Sequence, residues 1–126
     1  MKFMVTIYHD ETVLDAMPET EMQALVDAAI EYAEGLRQSG HYVTSNALQR
    51  TGTARILRVR GGAVSTTAGP FAETKEQLGG FFVIEARDMD EACAVAARFP
   101  PARVGVLEVR PVEELKHSRD RRGLPG

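Results

Sequence analysis

The chain has 126 residues, 44% of them apolar, and a formal net charge of −3. That length suits a single domain whose core needs no covalent staples, and the acidic balance argues against nucleic acid as a main partner. No apolar run approaches the roughly 18–20 residues that span a bilayer.

The single cysteine, Cys93, excludes an internal disulfide and fits a reducing cytoplasm. The opening Lys2–Tyr8 is too short and interrupted for a secretion signal, so a cytoplasmic, membrane-free protein is expected. The three histidines, His9, His41 and His117, stand at no helical ligand spacing, so no metal site is expected, and no cofactor.

Lys2–Tyr8 alternates and is rich in β-formers, which predicts a first strand with Phe3, Val5 and Ile7 on one face. Met4, Thr6 and Tyr8 take the other face. His9-Asp10-Glu11 follows as a polar end. His9 and Asp10 read either as an acid–base pair at a strand mouth or as a solvated loop.

Pro18, followed by Glu19 and Glu21, marks a helix start, because proline tolerates the first turn and carboxylates complement its dipole. Met22, Leu25, Val26, Ala29, Ala33 and Leu36 recur at helical spacing until Ser39-Gly40 stops the run. His41–Leu48 reads as a second strand and Gln49–Thr53 as a turn. Ala54–Arg60 is a strand with Ile56, Arg58 and Arg60 on one face, and Gly61-Gly62 turns it into Ala63–Thr67.

The chain is organised around Ala68–Glu85, A-G-P-F-A-E-T-K-E-Q-L-G-G-F-F-V-I-E. Gly69-Pro70 builds a corner, a polar segment carries Glu73, Lys75 and Glu76, and Gly79-Gly80 releases the chain into a strand over Gly80–Ala86. Asp88 with Glu91 three residues on predicts a capping box. The helix it opens buries Ala92, Val95, Ala96 and Phe99, ends at Pro100-Pro101, and holds Cys93 as a packed thiol. A last strand is expected over Arg103–Arg110, with Val106, Glu108 and Arg110 on one face. Residues 113–126 turn polar and basic, as a tail does.

Strand, helix, strands, strand, helix, strand is the order of an α+β, ferredoxin-like βαββαβ unit with an extra hairpin. Two helices cover one face of such a sheet. The other face mixes Met4, Tyr8, Ile56 and Val106 with Arg58, Arg60, Glu108 and Arg110, too apolar for water and too charged for a sealed core. A homodimer packed sheet to sheet, leaving a polar-lined cleft, is the arrangement expected.

The central run closely resembles the motif of the YCII-related proteins of the DGPF group, D-G-P-F-x-E-x-K-E-x-L-G-G-[FY]. The opening M-K-F-M-V-T-I-Y, the arginine-bearing hairpin and the terminal V-G-V-L-E-V-R-P extend the resemblance over residues 1–112. It implies a dimeric α/β barrel and, in some relatives, an association with sigma-factor systems. Two departures stand out. The aspartate that names the motif is Ala68 here, and the histidine that wider relatives carry early in the first helix is absent from Glu19-Thr20-Glu21-Met22-Gln23.

These residues leave three readings. A binding module would take a small anionic or aromatic metabolite with Tyr8, Arg58, Phe71, Glu73, Lys75, Glu76, Glu108 and Arg110. A small-molecule enzyme of lyase or oxygenase type, by fold analogy, would draw its acid, base or electrostatic clamp from Lys75, Glu76, Glu73 or His9. In a structural or regulatory module, Glu73, Lys75 and Glu76 would bridge to Arg58 or Arg110.

Overall fold

The computed structural model describes residues 1–113 and 122–125. The basic-tail expectation falls mostly on residues 114–121 and 126, outside the described residues.

The elements run β1 (Lys2–His9), α1 (Glu11–Asp15), α2 (Glu19–Gln38), β2 (Tyr42–Ala47), β3 (Arg55–Arg60), β4 (Ala63–Ala68), β5 (Gln77–Glu85), α3 (Met89–Ala97) and β6 (Val106–Pro111). Four strands form one sheet in the order β2-β5-β1-β6, with every neighbouring pair antiparallel. That is the ferredoxin-like order expected. The β3–β4 hairpin is a separate two-stranded sheet. Its turn, Gly61-Gly62, has φ of 56° and 79°, the left-handed pair that a two-residue hairpin turn needs.

Strand alternation makes the core. Phe3, Val5 and Ile7 of β1 and Phe82 and Ile84 of β5 point to the helices and are buried with Leu36, Ala92 and Ala96. Removing such side chains from water contributes about 1.5–3 kcal/mol each. Phe82 stacks at 4.6 Å on Phe99, which lies 5.9 Å from Tyr32. The Tyr32 hydroxyl donates to the Val95 carbonyl at 2.6 Å and ties α2 to α3.

The capping box is present with its return bond shifted by one residue, to Arg87 instead of Asp88. Asp88 Oδ1 accepts from the Glu91 N–H at 2.9 Å, and Glu91 Oε1 accepts from the Arg87 N–H at 3.0 Å. Pro18 sits at the N-cap of α2, one step before the expected first turn.

Several expectations are corrected. Ile56, Arg58 and Arg60 do not lie on the open face of the main sheet, because their hairpin pairs only with itself. β5 begins at Gln77, so Gly79 and Gly80 lie inside a strand instead of releasing one. β6 begins at Val106, because Pro100–Arg103 form a 3-10 turn. Cys93 is exposed, since α3 turns Ala92 and Ala96 inward and leaves the thiol outside. Val26 is exposed on α2 for the same reason. A short helix, α1, occupies what read as a polar loop.

Candidate functional site

The corner at the end of β1 gathers charge from four segments. Asp10 caps α1, accepting from the Thr12 N–H at 2.9 Å and the Thr12 hydroxyl at 2.6 Å. These bonds, chiefly the hydroxyl's, hold its carboxyl below the usual range, and the Lys75 ammonium pushes the same way. Glu11 reaches forty residues along the chain: its carboxylate accepts from the Thr51 N–H at 2.9 Å and from the Thr51 hydroxyl at 2.7 Å. Arg50 pairs with Asp15 at 3.1 Å. The segment leading into the hairpin is thereby bound to the end of β1.

His9 completes the corner. The β1–β5 register slips between Ile7 and Tyr8, leaving Gly79 as the extra residue of a bulge. The His9 imidazole occupies the space where a Gly79 Cβ would stand. Gly105 plays the matching part on the other side, where a Cβ would strike the Tyr8 carbonyl. Burial, and then the Arg50 charge, push the His9 pKa below its ordinary value, while the Glu11 carboxylate opposes them. A neutral imidazole near neutral pH can take or pass a proton.

The open face of the sheet is the second region. Thr6 lies at its centre, opposite Phe81 on β5 and Glu108 on β6. Met4 sits between Val83 and Arg110, and Tyr8 between Leu78 and Val106. Three of these apolar residues are well exposed, Met4 at 37%, Leu78 at 40% and Val106 at 53%. Within this setting the Thr6 Oγ1 is buried and has no hydrogen-bond partner among the described residues. Glu108 and Arg110 pair with each other at 3.4 Å on the rim.

The expected site residues fall into four groups. Lys75 comes near Asp10 at the corner, and His9 lies there under the charges of Arg50 and Glu11. Arg58 lies 5.7 Å from the Phe71 ring at the base of the hairpin, where the Gly69 N–H donates to the Ala54 carbonyl at 2.9 Å. Tyr8, Glu108 and Arg110 share the open face. Glu73 and Glu76 are exposed in the motif loop, and no ion pair among the described residues joins them to Arg58 or Arg110.

Sequence reasoning missed Gln77, whose side-chain amide donates to the Ala72 and Thr74 carbonyls at 2.7 and 3.0 Å and shapes that loop. It also missed Glu11, Arg50 and Thr51, whose meeting is tertiary and leaves no local signal. Only the Asp10-x-Thr12 spacing, a capping pattern, marked the helix that presents Glu11.

Two grooves of 660 and 420 Å³ flank Tyr32 on the helical side, and no motif residue lines them. His41 Nε2 approaches Glu91 Oε1 at 3.4 Å at the edge of the smaller one, a half-buried tie between the start of β2 and α3. Among the described residues no three metal-ligating side chains cluster. No helix among them is long and apolar enough to cross a membrane.

A model of the YCII-related domain matches residues 1–116. The chain belongs to that family. This YCII-related chain is 33% identical over 118 residues to an uncharacterized protein, R00369, of Rhizobium meliloti strain 1021, covering 92% of this chain and 95% of that one. It is also similar, at 19% identity and a TM-score of 0.49, to 5-chloro-2-hydroxyhydroquinone dehydrochlorinase (TftG) of Burkholderia phenoliruptrix AC1100 in complex with 2,5-dihydroxybenzoquinone. The match covers 93% of this chain and 98% of that structure.

Proposed function

We propose that this YCII-related protein is a cytoplasmic homodimer that binds a small anionic or aromatic metabolite on the open face of its sheet. The observation that carries this reading is the Thr6 hydroxyl, buried and without a hydrogen-bond partner among the described residues. Met4, Phe81 and Tyr8 lie around it, with the Glu108–Arg110 pair at the rim. A hydroxyl left in such a place costs stability, and a polar ligand group that meets it recovers that cost. The surrounding Met4, Phe81 and Tyr8 offer an aromatic ring an apolar seat, and Arg110 offers a carboxylate a partner.

Thr6→Val tests this directly. The isosteric methyl removes the unpaired oxygen, so the unliganded protein gains about 1 kcal/mol in urea unfolding. Salicylate affinity, measured by calorimetry with benzyl alcohol as the neutral control, falls about tenfold through loss of one buried hydrogen bond. Unchanged stability together with unchanged salicylate binding would remove the basis of the proposal.

A second reading is favoured by His9 alone. A half-buried imidazole kept neutral between the Arg50 and Glu11 charges is equipped to move a proton on a bound ligand, with Lys75, near the adjacent Asp10, steadying the charge that develops. Its test is conversion of metabolites from a cell extract, followed by mass spectrometry. Turnover by wild type that His9→Gln loses while retaining binding would establish the enzyme. Equal turnover by both would exclude His9 as the base.

A further inference from the structure

The β3–β4 hairpin pairs with no strand of the main sheet, and all its strand residues except Ile56 are exposed. Its two faces differ. One carries Arg58 and Arg60 opposite Ser65 and Ala63; the other carries Leu57 and Val59 opposite Thr66 and Val64. The arginine face has company within its own chain, since Arg58 lies over Phe71. The aliphatic face has none among the described residues, with Leu57, Val59 and Val64 exposed at 62%, 55% and 65%. A lone two-stranded hairpin is marginal in water and needs a surface to pack on.

We propose that the aliphatic face of this hairpin lies across the open sheet face of a second copy of the chain and roofs the pocket around Thr6 there. The inference rests on the homodimer reading above and names the element that closes the site, which the described residues of a single chain leave open.

Three observations favour a second copy as occupant. A two-fold exchange covers both unpartnered apolar surfaces on both chains at once, as a self-complementary interface must. The dimensions match, because six-residue strands reach about 20 Å and four strands span about 15–19 Å across a sheet. The charges match as well. Residues 54–68 hold three arginines and no acid, so the remainder of a chain at −3 carries six net negative charges. On the Thr6 side of the sheet Lys2 and Arg110 offset Glu85 and Glu108, so the match is one of net charge between hairpin and remainder. Opposite charge of this kind steers two copies together.

The test is cross-linking in a Cys93→Ser background, which removes the chain's one thiol. Leu57→Cys and Val106→Cys chains are prepared separately, mixed, and oxidised mildly. A disulfide-linked dimer that forms in the mixture beyond the level of either chain alone is the expected result. In parallel, Leu57→Glu/Val59→Glu should sediment as a monomer with unchanged far-ultraviolet dichroism, because neither residue belongs to the core. A wild-type dimer that gives no such cross-link, or that survives both glutamates, overturns the hairpin roof and leaves the homodimer standing. A wild-type monomer at micromolar concentration overturns both.

Discussion

The two faces of the main sheet are made by the same strands and differ only in what covers them. On the helix side Phe3, Val5, Phe82 and Ile84 are almost wholly removed from water. One residue along each strand, Met4, Thr6, Phe81 and Val83 look the other way, onto a face that no element among the described residues covers. Alternation therefore assigns one face to stability and leaves the other for a ligand or a partner. The sharpest way to break this contrast is Phe82→Ala. It empties the ring that stacks on Phe99 and should cost about 3–5 kcal/mol in urea unfolding. A loss below about 1 kcal/mol would show that the helix face is not the core.

The corner where the two faces meet is tested by Gly79→Ala. The new methyl falls on the His9 ring, so the ring must leave or the bulge must deform, at about 1–3 kcal/mol. Adding His9→Ala should return most of that loss, and the double-mutant cycle measures the coupling. Additive losses would mean that the glycine serves the backbone alone.

The helix-covered face was legible in advance, and the open side much less so. The alternation of Lys2–Tyr8 and the apolar Phe81–Ile84 placed the core strands, and Asp88 with Glu91 placed the start of α3. These are local signals, carried by spacing and by caps. Gly79-Gly80 misled, because glycine also marks close approach. Here Gly79 makes room for an imidazole, and a Cβ at Gly80 would stand 3.1 Å from the Asn46 carbonyl. The detachment of the hairpin was hidden for a different reason: strand propensity says that a segment is extended and leaves its neighbours unnamed. Lys75 was marked by the motif. Its nearness to Asp10 depends on how β1 and the motif loop end, which no window of residues records.

A smaller effect sharpens the helix side. Tyr32→Phe removes the 2.6 Å bond to the Val95 carbonyl and leaves the ring beside Phe99. The expected cost is about 0.5–1.5 kcal/mol, the net worth of one hydrogen bond. Amide exchange in α3 should quicken while the β1–β5 pairing stays protected. Equal quickening in both would mean that the bond holds the whole core instead of one helix.

The smallest effect, a matter of sign, belongs to His9. Burial first and Arg50 second lower its pKa from the ordinary 6.5, so the folded protein holds the imidazole neutral while the unfolded chain protonates it more readily. Stability from this group is then fully present above about pH 6.5 and is lost as pH falls through the lower, folded value. Asp10, Glu11, Asp88 and Glu91 act with the same sign in a more acidic window, because hydrogen bonds lower their carboxyl pKa values. Just below pH 6.5 the slope of urea midpoint against pH should therefore flatten in His9→Gln relative to wild type. Proton NMR of the His9 ring supplies the finer check. Glu11→Gln withdraws the opposing carboxylate charge and should lower the titration further, whereas Arg50→Gln should raise it. A ring that titrates at its free-peptide value in all three proteins would show that the imidazole is not seated on Gly79.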